Sequence, residues 1–151
     1  MPCAVIDLFC GIGGLTHGLI RSGLQVLAGI DIDSTCQYAY ETNNDARFIE
    51  ADVAQLTSDE IVSLYPAEAV RALVGCAPCQ PFSKYTQRYR KDGHRGDKWR
   101  LLYSFAEKVT DILPEIVSME NVPELASEPV FDDFRNTLAD LGYHVSWRIA
   151  F

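Results

Sequence analysis

Short apolar stretches alternate with amphipathic ones along the chain, as expected of alternating strands and helices. Apolar and β-branched runs predict strands at residues 4–9, 25–31, 47–50, 69–75, 115–120 and 143–151. Helical periodicity between them predicts a short helix that begins at Ser58 and longer helices at residues 14–21, 34–43, 99–112 and 130–141. Because strands and helices alternate throughout, we expect a Rossmann-like, doubly wound α/β domain with a mostly parallel sheet.

Residues that commonly begin or end helices lie at the boundaries of these segments. Gly23 follows the first helix where a C-terminal cap is expected, and Gly142 ends the last one. Ser34 can cap the amino end of the second helix with its hydroxyl. The caps therefore support the boundaries that the hydrophobic pattern gives.

Composition is that of an ordinary globular protein, with 48% apolar and 23% charged residues in a chain of 151, enough for one domain. No apolar run approaches the roughly 20 residues of a membrane span, and the amino terminus lacks the basic region of a signal peptide. We therefore expect a cytoplasmic location, or a nuclear one if the source has a nucleus. The five cysteines are an odd number, which favours reduced thiols over a disulfide framework.

Charge is distributed unevenly, although the net charge of −8 alone argues against a nucleic-acid partner. The segment 84–100 holds seven basic residues against two acidic ones, which leaves six basic and 19 acidic residues elsewhere. A basic loop on an acidic body fits a local phosphate contact. It fits a solvated loop without a partner equally well.

A glycine-rich turn, Asp7-Leu-Phe-Cys-Gly-Ile-Gly-Gly14, joins the first strand to the first helix. Glycines let the backbone approach a ligand closely and adopt positive φ. The turn departs from the dinucleotide pattern G-x-G-x-x-G because Thr16 occupies the place of the third glycine. It therefore favours a nucleoside ligand without a pyrophosphate, or simply a tight strand-to-helix connection.

Acidic residues follow the second and third strands. Asp31 ends strand two, where a carboxylate can accept hydrogen bonds from both ribose hydroxyls, and Ile32 can lie against a purine ring. Asp52, after strand three, can accept from an adenine amino group. Asp33 and Asp52 can equally be helix caps or turn residues.

Two cysteines and two prolines follow strand four in Gly75-Cys-Ala-Pro-Cys-Gln-Pro-Phe-Ser83. Proline cannot continue a strand or helix, so the segment predicts a stiff loop at the carboxyl end of the strand. We interpret Cys79 as the nucleophile and Cys76 as a small buried hydrophobe. A redox dithiol and a zinc site are less favoured, because no helix starts at the motif and no second C-x-x-C is present.

Glu120 closes strand five, which we expect beside strand four. A lone glutamate is rarely buried in a core, and Asn121 and Pro123 can form a turn that orients it. Burial would raise its pKa and make it a proton donor near neutral pH. Cys79 and Glu120 would then lie at neighbouring strand ends beside a nucleoside pocket.

Together these motifs resemble the DNA (cytosine-5) methyltransferase family. The glycine turn resembles the S-adenosylmethionine loop of the family, and the match extends in order over essentially the whole chain. The resemblance implies cofactor contacts from Phe9, Gly11, Gly13, Gly14, Asp31, Ile32, Asp52, Val53, Pro78 and Leu101. It implies catalysis by Cys79 and Glu120, from Pro78-Cys79-Gln80 and Glu120-Asn121-Val122, and substrate contacts from Gln80, Ser83, Asn121 and Val122.

The resemblance also implies a mechanism. A target cytosine is flipped out of the DNA duplex, and the Cys79 thiolate attacks its C6 while Glu120 protonates N3. C5 then takes the methyl group of S-adenosylmethionine, and loss of the C5 proton releases Cys79. The loop that contains Lys84, Arg88 and Arg95 would close over the phosphates.

The chain departs from the family pattern after its last predicted strand. The Gln-x-Arg-x-Arg motif, the target recognition domain and the C-terminal segment of the family are not among residues 1–151. We therefore expect the N-terminal part of a catalytic domain: a fragment, the first subunit of a split enzyme, or an incompletely resolved chain. Alone it should bind DNA poorly and methylate little, needing a second polypeptide or the missing segment.

Three other functions stay open. A cytosine-5 methyltransferase acting on transfer RNA has overlapping motifs. A non-catalytic subunit that binds only cofactor or partner is a second possibility, although an intact Cys79 and Glu120 count against it. A thiol redox protein that uses Cys76 and Cys79 is the third.

Overall fold

The computed structural model describes residues 2–78 and 99–150. Within these ranges the strands are β1 Cys3–Leu8, β2 Gln25–Asp31, β3 Arg47–Glu50, β4 Val70–Gly75 and β5 Ile116–Met119. They form one sheet in the order β3-β2-β1-β4-β5, and every neighbouring pair is parallel. The predicted α/β class and the first five predicted strands are therefore confirmed, and the strand order reverses between β1 and β4 as in a doubly wound fold.

Helices connect the strands at nearly the predicted boundaries. They are α1 Gly14–Arg21, α2 Gln37–Asn43, α3 Ser58–Val62, α4 Arg100–Ile112 and α5 Pro129–Asp140, with 3-10 turns at Ser34–Cys36 and Pro123–Ser127. Gly23 has the expected positive φ of 84° after α1. Ser34 is not a cap: Asp33 caps the 3-10 turn before α2, and its carboxylate accepts from the Thr35 amide. In the described part of the chain, no helix is long and apolar enough to cross a membrane.

Alternation along β1 divides the core between the two faces of the sheet. Val5 packs with Val26 and with the apolar side of α1, whereas Ile6 and Leu8 face α4 and α5. On that second face the rings of Phe105 and Phe134 stack with centroids 5.8 Å apart. Because side chains of a strand alternate between faces, the parallel sheet is covered by helices on both sides.

The prediction of a sixth strand is wrong, because the described residues 143–150 contain no strand. The Tyr143 hydroxyl instead donates to the Pro114 carbonyl, and Val145 packs against the main core. Trp147 lies edge-on to Phe131 of α5, with ring centroids 5.1 Å apart. The alternating apolar residues of this segment thus find their partners on α5 and its surroundings and not on the edge of the sheet.

Tyr40 of α2 is a buried contact between β2 and the turn that precedes α1. Its side chain is fully buried, and the ring lies so close to Gly29 that a Cβ there would be 2.5 Å from ring carbons and the hydroxyl. A Cβ on Gly13 would be 2.7 Å from the same ring. Glycine at both positions is therefore required by close packing.

We predict that Gly29→Ala lowers the free energy of unfolding by about 1–3 kcal/mol, because the ring of Tyr40 is enclosed and cannot move aside. Gly18→Ala is the matched control, since Gly18 lies within α1 and a Cβ there meets no atom within 4 Å. That change should raise stability by about 0.5–1 kcal/mol. Chemical denaturation of the two variants measures both effects, and equal stabilities would contradict the packing argument.

Candidate functional site

Because all the described strands are parallel, their carboxyl ends meet at one edge of the sheet, and the predicted site residues follow these ends. The turn after β1 has positive φ at Phe9 (60°), Gly11 (51°) and Gly13 (90°). Its backbone is held by hydrogen bonds from the Cys10 amide to the Ile30 carbonyl and from the Gly13 amide to the Cys10 carbonyl. Phe9 is half-buried against the main core, so a non-glycine residue is kept in the left-handed region by packing.

One side of the glycine turn is open. A Cβ built at Gly11 or Gly14 meets no atom within 4 Å, and Ile12 is 66% exposed. The opposite side, at Gly13, is filled by Tyr40 and Asn44. The turn thus has a packed inner side and an outer side with room for a ligand.

Asp31 connects β2 to this turn. It is 4% exposed, and its Oδ2 accepts from the Gly11 amide at 2.8 Å while its Oδ1 accepts from the Asp33 amide at 2.9 Å. Ile32, the next residue, is half-buried. Asp31, the residue predicted to bind a ribose, therefore lies against the predicted glycine turn. The hydrogen bond from the Gly11 amide that joins them was not indicated by the sequence.

Asp52 forms a turn after β3. Its Oδ1 accepts from the Ala54 amide at 2.9 Å, and its carbonyl accepts from the amides of Gln55 and Leu56. The turn role that was left open for Asp52 is thus present. Val53 is 2% exposed and packs in the main core.

The ends of β4 and β5 are tied together just before the cysteine loop. The Asn121 side-chain amide donates to the Ala77 carbonyl at 2.8 Å, and the Glu120 amide donates to the Gly75 carbonyl at 3.1 Å. Gly75 is packed so tightly that a Cβ would be 2.6 Å from the Leu8 carbonyl oxygen. These contacts fix the base of the loop relative to β1 and β5.

The rest of the cysteine loop falls outside the described residues. Cys79, Gln80 and Ser83 lie there, as do the basic residues Lys84, Arg88 and Arg95. Pro78 is described and half-buried, and Leu101, in the first turn of α4, is 7% exposed. The structure therefore describes the segments on either side of the loop: the chain up to Pro78 and the start of α4.

The expectation that Cys76 is a small buried hydrophobe is wrong. Cys76 is exposed, because the chain leaves the sheet immediately after Gly75. Glu120 is also exposed, because β5 pairs only with β4 in the described sheet and the glutamate follows its end. Glu120, Asn121 and Val122 line a hollow of about 300 Å³ that Trp147 also borders. The side chain at position 120 is thus accessible to a ligand.

Asp7 is a buried carboxylate to which the sequence assigned no role. It is 1% exposed, and its Oδ2 accepts from the Thr16 hydroxyl at 2.7 Å. The same Thr16 hydroxyl lies 3.0 Å from the Tyr40 hydroxyl. Burial raises the pKa of Asp7 to about 7; the Thr16 hydrogen bond opposes the rise, while the nearby charges of Glu120 and Asp31 add to it. The signal in the sequence is an acid inside an otherwise apolar strand, two residues before Phe9, the first residue of positive φ.

Among the described residues, no group of three His, Cys, Asp or Glu side chains is arranged to hold a metal ion. Cys10 is 8% exposed, and burial raises the pKa of its thiol.

We predict that Asp7 makes the stability of the fold depend on pH. Its pKa is about 7 in the folded protein against an ordinary value of 3.8, so the folded state holds the proton more tightly than the unfolded chain. Stability should therefore fall as the pH rises from about 4 to about 7, by up to about 4 kcal/mol. Asp7→Asn, which can still accept from Thr16, should remove this loss and unfold at a higher temperature than the wild type at alkaline pH.

The control for this prediction is Glu50→Gln, which removes an exposed carboxylate at the end of β3. Thermal unfolding across the pH range should give the same slope for this variant as for the wild type. Parallel curves for Asp7→Asn and the wild type would show that Asp7 keeps its ordinary pKa.

Comparison with known proteins identifies relatives of this chain. The chain is 53% identical over 149 residues to the Type II methylase M.HgiDII of Herpetosiphon aurantiacus, covering 97% of this chain and 41% of the relative. It is 31% identical over 141 residues to the Type II methyltransferase M.HgiDI of the same organism, covering 93% of this chain and 44% of the relative. The chain therefore spans about two fifths of the length of these curated relatives.

The fold is shared with solved methyltransferase structures. The Dnmt2 methyltransferase of S. pombe superposes with a TM-score of 0.71 at 21% identity, over 91% of this chain and 42% of that one. The family model described as C-5 cytosine-specific DNA methylase matches residues 3–150, which is nearly the entire sequence. Because this match covers nearly the whole sequence, the chain belongs to the C-5 cytosine-specific DNA methylase family.

Proposed function

We propose that the chain is the N-terminal catalytic part of an enzyme that methylates C5 of cytosine in DNA with S-adenosylmethionine. The observation that carries the proposal is the hydrogen bond from Asn121 to the Ala77 carbonyl. It joins the turn that bears Glu120 to the chain two residues before Cys79. Together with family membership, this contact supports a shared site for the thiol and the carboxyl group.

The edge of the sheet fits a nucleoside-containing methyl donor. The open outer side of the glycine turn leaves room for it, and the Asp31 carboxylate is held beside that turn by the Gly11 amide. When bound, S-adenosylmethionine supplies an electrophilic methyl group. We propose that it is held by Phe9, Gly11, Gly13, Gly14, Asp31, Ile32, Asp52, Val53, Pro78 and Leu101.

Cytosine C5 is a poor nucleophile, so the chain must activate the ring. The Cys79 thiolate forms a bond to C6, and Glu120 donates a proton to N3, which takes up the displaced electron pair. After C5 is methylated, N3 returns its proton to Glu120, a base removes the C5 proton, the C5–C6 double bond reforms and the C6–sulfur bond breaks, which returns the thiolate. Gln80, Ser83, Asn121 and Val122 would hold the flipped base.

We propose further that DNA is the substrate and that sequence recognition lies outside residues 1–151, in a further segment or a second polypeptide. Two features support this: the acidic body of the chain, and its span of 41% of M.HgiDII. The basic segment 84–100 would contribute phosphate contacts next to the base. The Type II names of the relatives favour a modification role beside a restriction enzyme.

The test joins these 151 residues to the remaining part of M.HgiDII and assays methyl transfer to duplex DNA and to transfer RNA side by side. We expect DNA to be methylated by the chimera and little or no methylation by the 151 residues alone. Cys79→Ser should abolish methyl transfer. This variant should also fail to form a covalent adduct with DNA that contains 5-fluorocytosine.

Cys76→Ser is the matched control, because it removes the exposed neighbouring thiol of the same loop and should keep most of the activity. Methylation confined to transfer RNA would replace the DNA proposal with the transfer-RNA one. An active Cys79→Ser chimera would overturn the nucleophile assignment, and a redox disulfide between Cys76 and Cys79 would favour the thiol redox function.

A further inference from the structure

Asp7 carries a buried oxygen atom that the proposed mechanism does not use. Its Oδ2 is bonded to Thr16, but its Oδ1 is buried and has no hydrogen-bond partner in the described part of the chain. Leaving a buried carboxylate oxygen unpaired costs free energy, because the charge loses its hydration without compensation. An apolar side chain would avoid that cost, and an isosteric amide would at least avoid burying a charge.

The position of Asp7 relates it to the cofactor loop. It pairs in register with Gly29 of β2 and Val74 of β4, and the backbone takes positive φ two residues later, at Phe9. Asp31 on one side and Glu120 on the other are close enough to interact with its charge. Three carboxyl groups thus surround the base of the turn.

The ligands expected at this turn differ in charge. The sulfur of S-adenosylmethionine is a sulfonium with a positive charge, whereas after methyl transfer it is a neutral thioether in S-adenosylhomocysteine. The amino and carboxylate groups are the same in both. A site that carries an uncompensated negative charge near the sulfur binds the donor more tightly than the product.

We propose that Asp7 is a specificity-determining residue that makes the site prefer the charged methyl donor to the neutral product. It acts through space, since a side chain that is 1% exposed does not touch a ligand on the open side of the turn. Its bond to Thr16 holds the carboxylate in place and leaves its second oxygen without a competing donor. The inference rests on the proposed use of S-adenosylmethionine.

Among residues 2–78 and 99–150, the groups whose interaction with Asp7 is described do not offset its charge. β2 contributes Asp31, the segment after β5 contributes Glu120, and the glycine turn contributes the Cys10 thiol. From α2 comes the Tyr40 hydroxyl, and the pKa of that group is raised, chiefly by burial. From α1 comes the uncharged Thr16, and from β4 the apolar Val74.

Binding of a cation near Asp7 must therefore be linked to loss of a proton. The pKa of Asp7 is raised to about 7 by burial, so the residue exchanges a proton near neutral pH. A positive ligand favours the ionised form, and by reciprocity the ionised form favours the positive ligand. The donor should bind more tightly as the pH rises through neutrality, and the product should respond less.

Titration calorimetry of the 151-residue protein with each ligand, at about pH 6 and about pH 8, tests this. We expect affinity for S-adenosylmethionine to rise roughly three- to tenfold over this range, and affinity for S-adenosylhomocysteine to change less than about twofold. Asp7→Asn should abolish the difference between the two ligands, while Glu50→Gln should keep it. Heats measured in two buffers of different ionisation enthalpy should show proton release with the donor only.

The outcomes separate this inference from the proposed function. Equal pH dependence for both ligands, or an unchanged difference in Asp7→Asn, overturns the inference alone. Binding of neither ligand by the wild-type chain overturns the cofactor assignment and the inference with it. Should Asp7→Asn not fold, Thr16→Val serves instead. Because this variant loses the hydrogen bond to the ionised carboxylate, the rise in affinity for S-adenosylmethionine should move to higher pH. An unchanged pH profile of that affinity would contradict the role of Asp7.

Discussion

Because β1, β2, β4 and β5 all run in the same direction, chain segments far apart in sequence leave the sheet at one edge. Two hydrogen bonds of 2.8 Å connect these segments at that edge: from the Gly11 amide to Asp31, and from the Asn121 side chain to the Ala77 carbonyl. The first holds the proposed cofactor turn against β2, and the second holds the base of the cysteine loop against β5. Without parallel strands neither contact would form, and the chemistry would have no common site.

Much of this architecture follows from local pattern. The strands β2 and β3 and the helix α1 lie at the predicted residues, because each is a short apolar or amphipathic run closed by glycine or a polar cap. The carboxyl-end placement of Asp31 and Glu120 follows from the parallel topology that alternating elements require. Local sequence therefore determines which residues reach the edge of the sheet.

Contacts between elements far apart in the sequence determine the features that the sequence did not predict. Segment 143–150 has strand-like alternation, yet its Trp147 packs on Phe131 of α5. The exposure of Cys76 depends on where the chain leaves β4, and that of Glu120 on how many neighbours β5 has. The buried hydrogen bonds among Asp7, Thr16 and Tyr40 join three elements. No periodicity within a single element contains that information. The acid inside β1 was visible in the sequence, but its pKa depends on the burial that only the fold provides.

The claim that the thiol of Cys79 and the side chain at position 120 face a common hollow is tested most directly by cross-linking. In a Cys76→Ser, Glu120→Cys variant, a bifunctional thiol reagent about as long as a pyrimidine ring is wide should join residues 79 and 120, as peptide mass spectrometry would show. Glu124→Cys in the same background, on the exposed 3-10 turn beyond, is the control and should not be joined to residue 79. Efficient cross-linking at 124 but not at 120 would contradict the shared site.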